Sequence, residues 1–174
     1  MKKTVLTYGF ISGAIAAAFM LTTLPFMDHG TKGLIVGYTG IVLSALLVFF
    51  GVRSYRDTVG QGRISFGRAF GVGILITLIS CLCYVATWEL IYFKLKPDIA
   101  DTMFSGEIDR LKAAGASQDK IDAATLQAES FKKMLDNPLI NGCLTFIEPF
   151  PVGLAITLIS AAILRRKQEA PAVT

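Results

Sequence analysis

"TFIEPFPVGLAITLISAAILRRK", residues 145–167, decides how this chain is read. From Pro149 to Leu164 it carries no charge, and it stops on the basic triplet Arg165, Arg166 and Lys167, as a membrane span does where it leaves the bilayer. Yet it opens on a carboxylate, Glu148, beside two prolines, Pro149 and Pro151. A helix starting at Pro149 puts the proline in the first turn, where a missing N–H is harmless, and leaves Glu148 at the positive end of the helix dipole. Such a helix is roughly 24 Å long, short of the ~30 Å hydrocarbon core. A helix starting near Cys143 is instead interrupted by both prolines, which release the carbonyls of Thr145 and Ile147 beside a carboxylate. That second arrangement resembles the broken helices that hold protons or cations in transporters.

The rest of the chain supports a lipid setting. Of its 174 residues 53% are hydrophobic and only 17% are charged, with a mean hydropathy of +0.57, more apolar than a water-soluble core of this size requires. The net charge of +4 falls in short clusters beside apolar runs, not in a stripe with interleaved aromatics, which argues against nucleic acid as a partner.

Four windows have the length and composition of spans: residues 5–27, 34–52, 70–93 and 142–164. With no water in the bilayer core to satisfy the backbone, they are expected to be helices. The first follows "MKK" and contains "AIAAAF", features shared with signal peptides, but the apolar run continues through Phe19, Met20 and Leu21 and reads as an uncleaved anchor. Lys2 and Lys3 precede the first span; Arg53, Arg56, Arg63 and Arg68 lie between the second and third; Arg165, Arg166 and Lys167 follow the fourth. With four crossings all three clusters share one side, so both termini are expected in the cytoplasm of a bacterial inner-membrane protein. The same arginines are expected to meet anionic headgroups, at ~1 kcal/mol each.

Residues 94–141 then form an extracytoplasmic insertion with nearly balanced charge, seven Lys or Arg against eight Asp or Glu. Ile121, Ala124, Ala128, Phe131 and Leu135 recur at helical spacing, as do Phe104, Ile108 and Leu111, with "AAGAS" between the two sets. The expectation is a helical hairpin whose stripes close on each other or on the span ends, rather than a docking face.

Gly9 and Gly13, with Ser12 beside them, form the best-placed small-residue face for helix packing; Gly33–Gly37 and Gly67–Gly71 share the spacing. "GQGRISFGRAFGVG" lacks the Lys-Ser/Thr of a phosphate loop and a preceding strand. No hydrolase or metalloprotease motif is present, and Cys81, Cys83 and Cys143 contain no C-x-x-C pair, so neither catalysis, a metal nor a cofactor is expected. His29, in "MDHGTKG", reads as a loop residue. A faint parallel between "GFISGAIAAAF" and "RAFGVGILITLI" needs no repeat to explain it, since spans of like orientation share such patterns.

Glu89, near the end of the third span, stands at a depth comparable to Glu148, with Trp88 and Tyr92 as an interfacial aromatic belt. The ordinary account pairs Glu148 with Lys94, Lys96, Lys32, headgroups or water; the sharper one makes Glu89 and Glu148 a proton or cation site. No ionisable residue occupies the middle of any span, which weighs against coupled transport.

"GFISG" at 9–13, "GY" at 37–38, "FFGVRSYRD" at 49–57, "GRISFGRAFGVG" at 62–73, the Tyr84 and Trp88 pair, and "EPFPVGLAITLISAAILRRK" at 148–167 together resemble a bacterial membrane family, domain of unknown function 4199. The resemblance implies a four-span inner-membrane protein and carries no activity, substrate or cofactor. The expected architecture is an all-α, four-span transmembrane bundle forming one integral membrane domain over residues 1–174. Two functions are expected of it: a non-enzymatic scaffold or accessory subunit, holding another membrane protein or a second copy of itself in the lipid bilayer, or a small carrier using Glu89 and Glu148.

Overall fold

The structure, a computed structural model, describes residues 1–24 and 31–165, with side chains described outside 31–34. His29, Arg166 and Lys167 lie outside the described residues, and Lys32 and Gly33 outside the described side chains. The chain forms α1 (Lys2–Thr23), α2 (Thr31–Thr58), α3 (Phe66–Leu90) continued by a π-helical turn (Ile91–Leu95), α4 (Ile99–Ala113), α5 (Gln118–Leu135), α6 (Pro138–Ile147) and α7 (Phe150–Leu164). Four stretches are long and apolar enough to cross a membrane: Lys2–Thr23, Ile35–Thr58, Phe66–Leu95 and Pro138–Leu164. Large apolar side chains cover the outside of these helices, with Phe10 58%, Leu82 62% and Ile163 66% exposed, a surface that lipid tolerates and water does not.

Capping chemistry sets the boundaries and moves two of them from the expected positions. Ser65 accepts a hydrogen bond from the Arg68 N–H at 3.4 Å, so α3 starts at Phe66 rather than Phe70. Asn137 Oδ1 accepts from the N–H groups of Leu139 (3.0 Å) and Ile140 (3.4 Å), with Pro138 in the first helical position. The fourth span therefore begins at Pro138, before either start read from the sequence. It breaks at Glu148 and Pro149 and resumes at Phe150. Both break residues keep right-handed helical angles (φ −67, ψ −58 and φ −81, ψ −22), so the helix is interrupted without a reversing turn. The expected pair of kinks is thus one break, at Pro149. Pro151 sits in the first turn of α7, where a backbone donor has no intrahelical partner in any case.

α2 and α3 each pack against both α1 and α7, placing those two at opposite corners of the bundle. Three layers fill it. At the arginine-bearing end, Val48, Val52, Val72, Ile76, Ala161 and Leu164 form an apolar cluster; at the other end Ala16, Met20, Ile41, Tyr84, Ile91 and Tyr92 form a second. Between them lies a belt of buried hydroxyls. Ser12 Oγ donates to the Ser44 carbonyl at 2.8 Å and lies 2.9 Å from Ser80 Oγ, while the hydroxyls of Thr77 and Thr157 are 3.1 Å apart. Such bonds hold helices together where apolar contact alone gives no preference over lipid.

The small residues let this belt close. A Cβ on Gly13 would sit 2.5 Å from Cys83 Cβ, and one on Gly9 2.8 Å from Ile79 Cβ, so both glycines seat α1 on α3. Among the described residues Gly37, Gly67 and Gly71 have no neighbour within 4 Å of such a position.

Residues 99–135 form the expected hairpin, turning at Gly115, whose φ of +70 suits glycine. Phe104 meets Phe131 edge-to-face at 6.1 Å, and Lys132 pairs with Asp101 across the two helices. Ile99, Ala100, Phe104 and Leu135 also join the apolar cluster at the adjacent bundle end, whereas Met103, Leu126, Phe131 and Met134 of the hairpin stay exposed.

Candidate functional site

Breaking the fourth span opens a gap. Below Pro149, α7 packs on both α2 and α3; above it, among the described residues, α6 packs on α3 and α5 and makes no comparable contact with α2. A cavity of about 480 Å³ fills that gap. Ala16 and Met20 of α1, Tyr38 and Ile41 of α2, Tyr84 and Trp88 of α3, and Leu144, Thr145 and Glu148 of α6 and the break line it. Met103 and Arg110 of α4 and Phe131 and Leu135 of α5 roof it.

Glu148 is the only carboxylate lining this cavity among the described residues. Its Oε2 accepts the Tyr84 hydroxyl at 2.9 Å. That phenol, rather than Lys94 or Lys96, is its partner: both lysines are exposed and neither pairs with it. At ~1.5 Å per residue, Glu148 lies about 25 Å along its span from Arg165, and Tyr84 about 24 Å from Arg68. Tyr38 is about 22 Å from Arg53 on the same scale. With the arginines at one interface of a ~30 Å core, all three groups sit several ångströms inside the opposite boundary.

A second polar set fixes the neighbouring wall. Asn141, fully buried, accepts the Trp88 Nε1–H at 2.8 Å and the Thr145 hydroxyl at 3.3 Å, and donates through Nδ2 to the Leu135 carbonyl at 3.0 Å. Three helices are tied by one amide. Tyr92 adds a longer bond to Asp136, at 3.4 Å.

Glu89 is not part of this site. It projects from the adjacent face of α3 toward α6, its Oε1 3.6 Å from where a Gly142 Cβ would stand, and it does not line the cavity. That oxygen is buried with no hydrogen-bond partner among the described residues. The two glutamates named from the sequence are therefore not brought into one constellation. Among the described residues no group of three or more His, Cys, Asp or Glu stands ready to hold a metal ion.

The other singled-out residues fall elsewhere. Arg53, Arg56, Arg63, Arg68 and Arg165 lie at the bundle end remote from the cavity, with Arg56 bonded to Asp57 at 2.7 Å. Cys81 is buried, Cys83 backs Gly13, and Cys143 is exposed. Sequence reading missed Tyr38 and Asn141, and gave Trp88 only an interfacial role. The i, i+4 spacing of Tyr84 and Trp88 was the available signal, since it puts both on one face of α3.

An all-α bundle of four membrane-length helices, with a helical hairpin over a broken fourth span, defines a multi-pass membrane protein. Residues 7–166 match the family described as protein of unknown function (DUF4199), and the chain belongs to that family. No curated protein and no solved structure matches it.

Proposed function

We propose that the protein is a non-enzymatic binding protein of the bacterial inner membrane, with cytoplasmic termini, that takes an amphiphile from the outer leaflet into the cavity beneath an extracytoplasmic hairpin. The observation that carries this reading is Glu148, held by Tyr84 on the wall of a cavity at hydrocarbon depth. An ionisable group inside the membrane costs free energy, ~2.5–3.5 kcal/mol at the midplane, and such groups are retained where they serve a ligand or a path. The cavity volume lies in the range of small-molecule sites, with apolar walls and few convergent polar groups. The basic clusters at the far end of the bundle favour the stated orientation.

A diazirine-bearing fatty alcohol tests this without presupposing the head group. Irradiated with the protein in nanodiscs, it is expected to label Met20, Leu144 or Leu135 by peptide mapping, and to be competed by excess unlabelled alcohol. Labelling confined to lipid-facing positions such as Leu82 and Ile163 overturns the reading.

A carrier is a special case, and its ligand set reduces to Glu148, because Glu89 faces a different surface. The scaffold or accessory-subunit reading keeps separate support: the Gly67 and Gly71 face of α3 has no neighbour within 4 Å and suits a close-packed helix from another chain. A cysteine at Gly67 that crosslinks to a single neighbour in membranes supports that role, and one that yields only monomer opposes it.

A further inference from the structure

We propose that the ligand's head group is cationic, an alkylammonium, held by Glu148 and by the ring faces of Tyr38, Tyr84 and Trp88. This rests on the binding function proposed above and adds the chemistry of what is bound.

The charge balance of the cavity points to a cation. Glu148 receives one hydrogen bond, from Tyr84, and among the described residues it makes no ion pair. A neutral ligand would leave a carboxylate with one donor in a low-dielectric setting, and an anionic one would add repulsion. Among the described residues the cavity's one basic side chain is Arg110, which sits on the roof and bonds Glu107 at 3.3 Å, one turn back on its own helix. A cationic ligand would supply the positive partner for Glu148 that no described side chain provides.

The aromatic groups narrow the class. Tyr38, Tyr84 and Trp88 line the same cavity as the carboxylate, and Asn141 fixes the Trp88 ring by its Nε1–H at 2.8 Å. Ring faces attract a substituted ammonium, most strongly when it is desolvated, and Trp is the best of them. A bulky alkylated ammonium offers little to hydrogen-bond acceptors but much to ring faces, which matches a site whose described lining holds one carboxylate and four rings, Phe131 on the roof being the fourth. Met20, Ile41 and Leu144 supply an apolar wall for the attached chain.

Trp88 is the only tryptophan in the chain, so its fluorescence reports this cavity alone. Protein in nanodiscs is titrated with an alkyltrimethylammonium bearing bromine on its chain, and separately with an alkyl glycoside of the same brominated chain. Saturable quenching by the ammonium is expected at about tenfold lower concentration than by the glycoside. Glu148→Gln should erase that preference, and Glu148→Asp, which keeps the charge, should retain most of it. Tyr84→Phe should weaken it only partly, since the ring remains. Equal quenching by both probes, indifferent to Glu148→Gln, overturns the cationic assignment while leaving the binding function standing. No saturable quenching by either probe, together with failed diazirine labelling, removes both.

Discussion

Asn141 and Glu89 face each other's helices at the hairpin end of the bundle and are opposite cases of a buried polar group. The amide of Asn141 is satisfied on both sides, by Trp88, Thr145 and Leu135. Replacing it with Leu crowds a larger apolar side chain into a fully buried position and removes the partner of the Trp88 N–H and of the Leu135 carbonyl. Asn141→Leu is expected to destabilise the protein by about 2 kcal/mol, and to shift Trp88 emission, in a detergent melt followed by fluorescence. Glu89 is expected to behave otherwise. One of its oxygens is already without a partner, so Glu89→Leu removes a cost rather than a bond, and its melting midpoint should equal or exceed that of the unaltered protein. A large loss on Glu89→Leu would mean that its carboxylate holds α3 and α6 together. The sequence made these two residues look unlike their roles. A glutamate beside a tryptophan draws notice, whereas an asparagine in a loop-like "NPLIN" does not, and only the capping by Asn137 puts Asn141 inside a helix facing Trp88.

At the scale of helices, the same spacing can mean opposite things. Gly9 and Gly13 and Gly67 and Gly71 are equally separated, yet the first pair is filled by α3 and the second is open. Spacing tells that a face is narrow; it does not tell which helix is opposite. The four spans, their helical state and the hairpin were legible because composition and period report solvent and burial directly. The cavity was not, because it arises from which helices α6 packs on above the break, α3 and α5 rather than α2. The part played by the break is testable. Pro149→Ala restores the N–H that can bond the Thr145 carbonyl, allowing one continuous helix from Pro138 to Leu164. The expected outcome is a higher melting midpoint and a longer distance between spin labels at Leu139 and Ile163 by double electron–electron resonance. A straightened span would carry α6 toward α2 and fill the cavity, so diazirine labelling of Leu144 should fall. Unchanged spacing with unchanged labelling would place the origin of the gap in the hairpin contacts instead of the proline.

For the whole molecule, everything said about access depends on which membrane face the hairpin meets. An even number of crossings places the α2–α3 turn and both chain ends together, opposite the hairpin, whatever the absolute direction. The proposed direction rests on charge: clustered arginines such as Arg53, Arg56, Arg63, Arg68 and Arg165 favour the cytoplasmic side, while the hairpin has no net basic excess. In a variant with Cys81, Cys83 and Cys143 replaced by Ala or Ser, single cysteines at Val59, in the α2–α3 turn, and at Gln118, at the hairpin tip, report the two faces. A membrane-impermeant maleimide added to intact spheroplasts is expected to label Gln118→Cys and to reach Val59→Cys only after lysis. Labelling of both in intact spheroplasts would mean that no membrane separates turn from hairpin, and the four-span architecture would fall. The inverse pattern would keep the bundle but turn it over. The cavity, with Glu148 about 25 Å from the arginine level, would then open toward the inner leaflet, and its ligand would come from the cytoplasmic side.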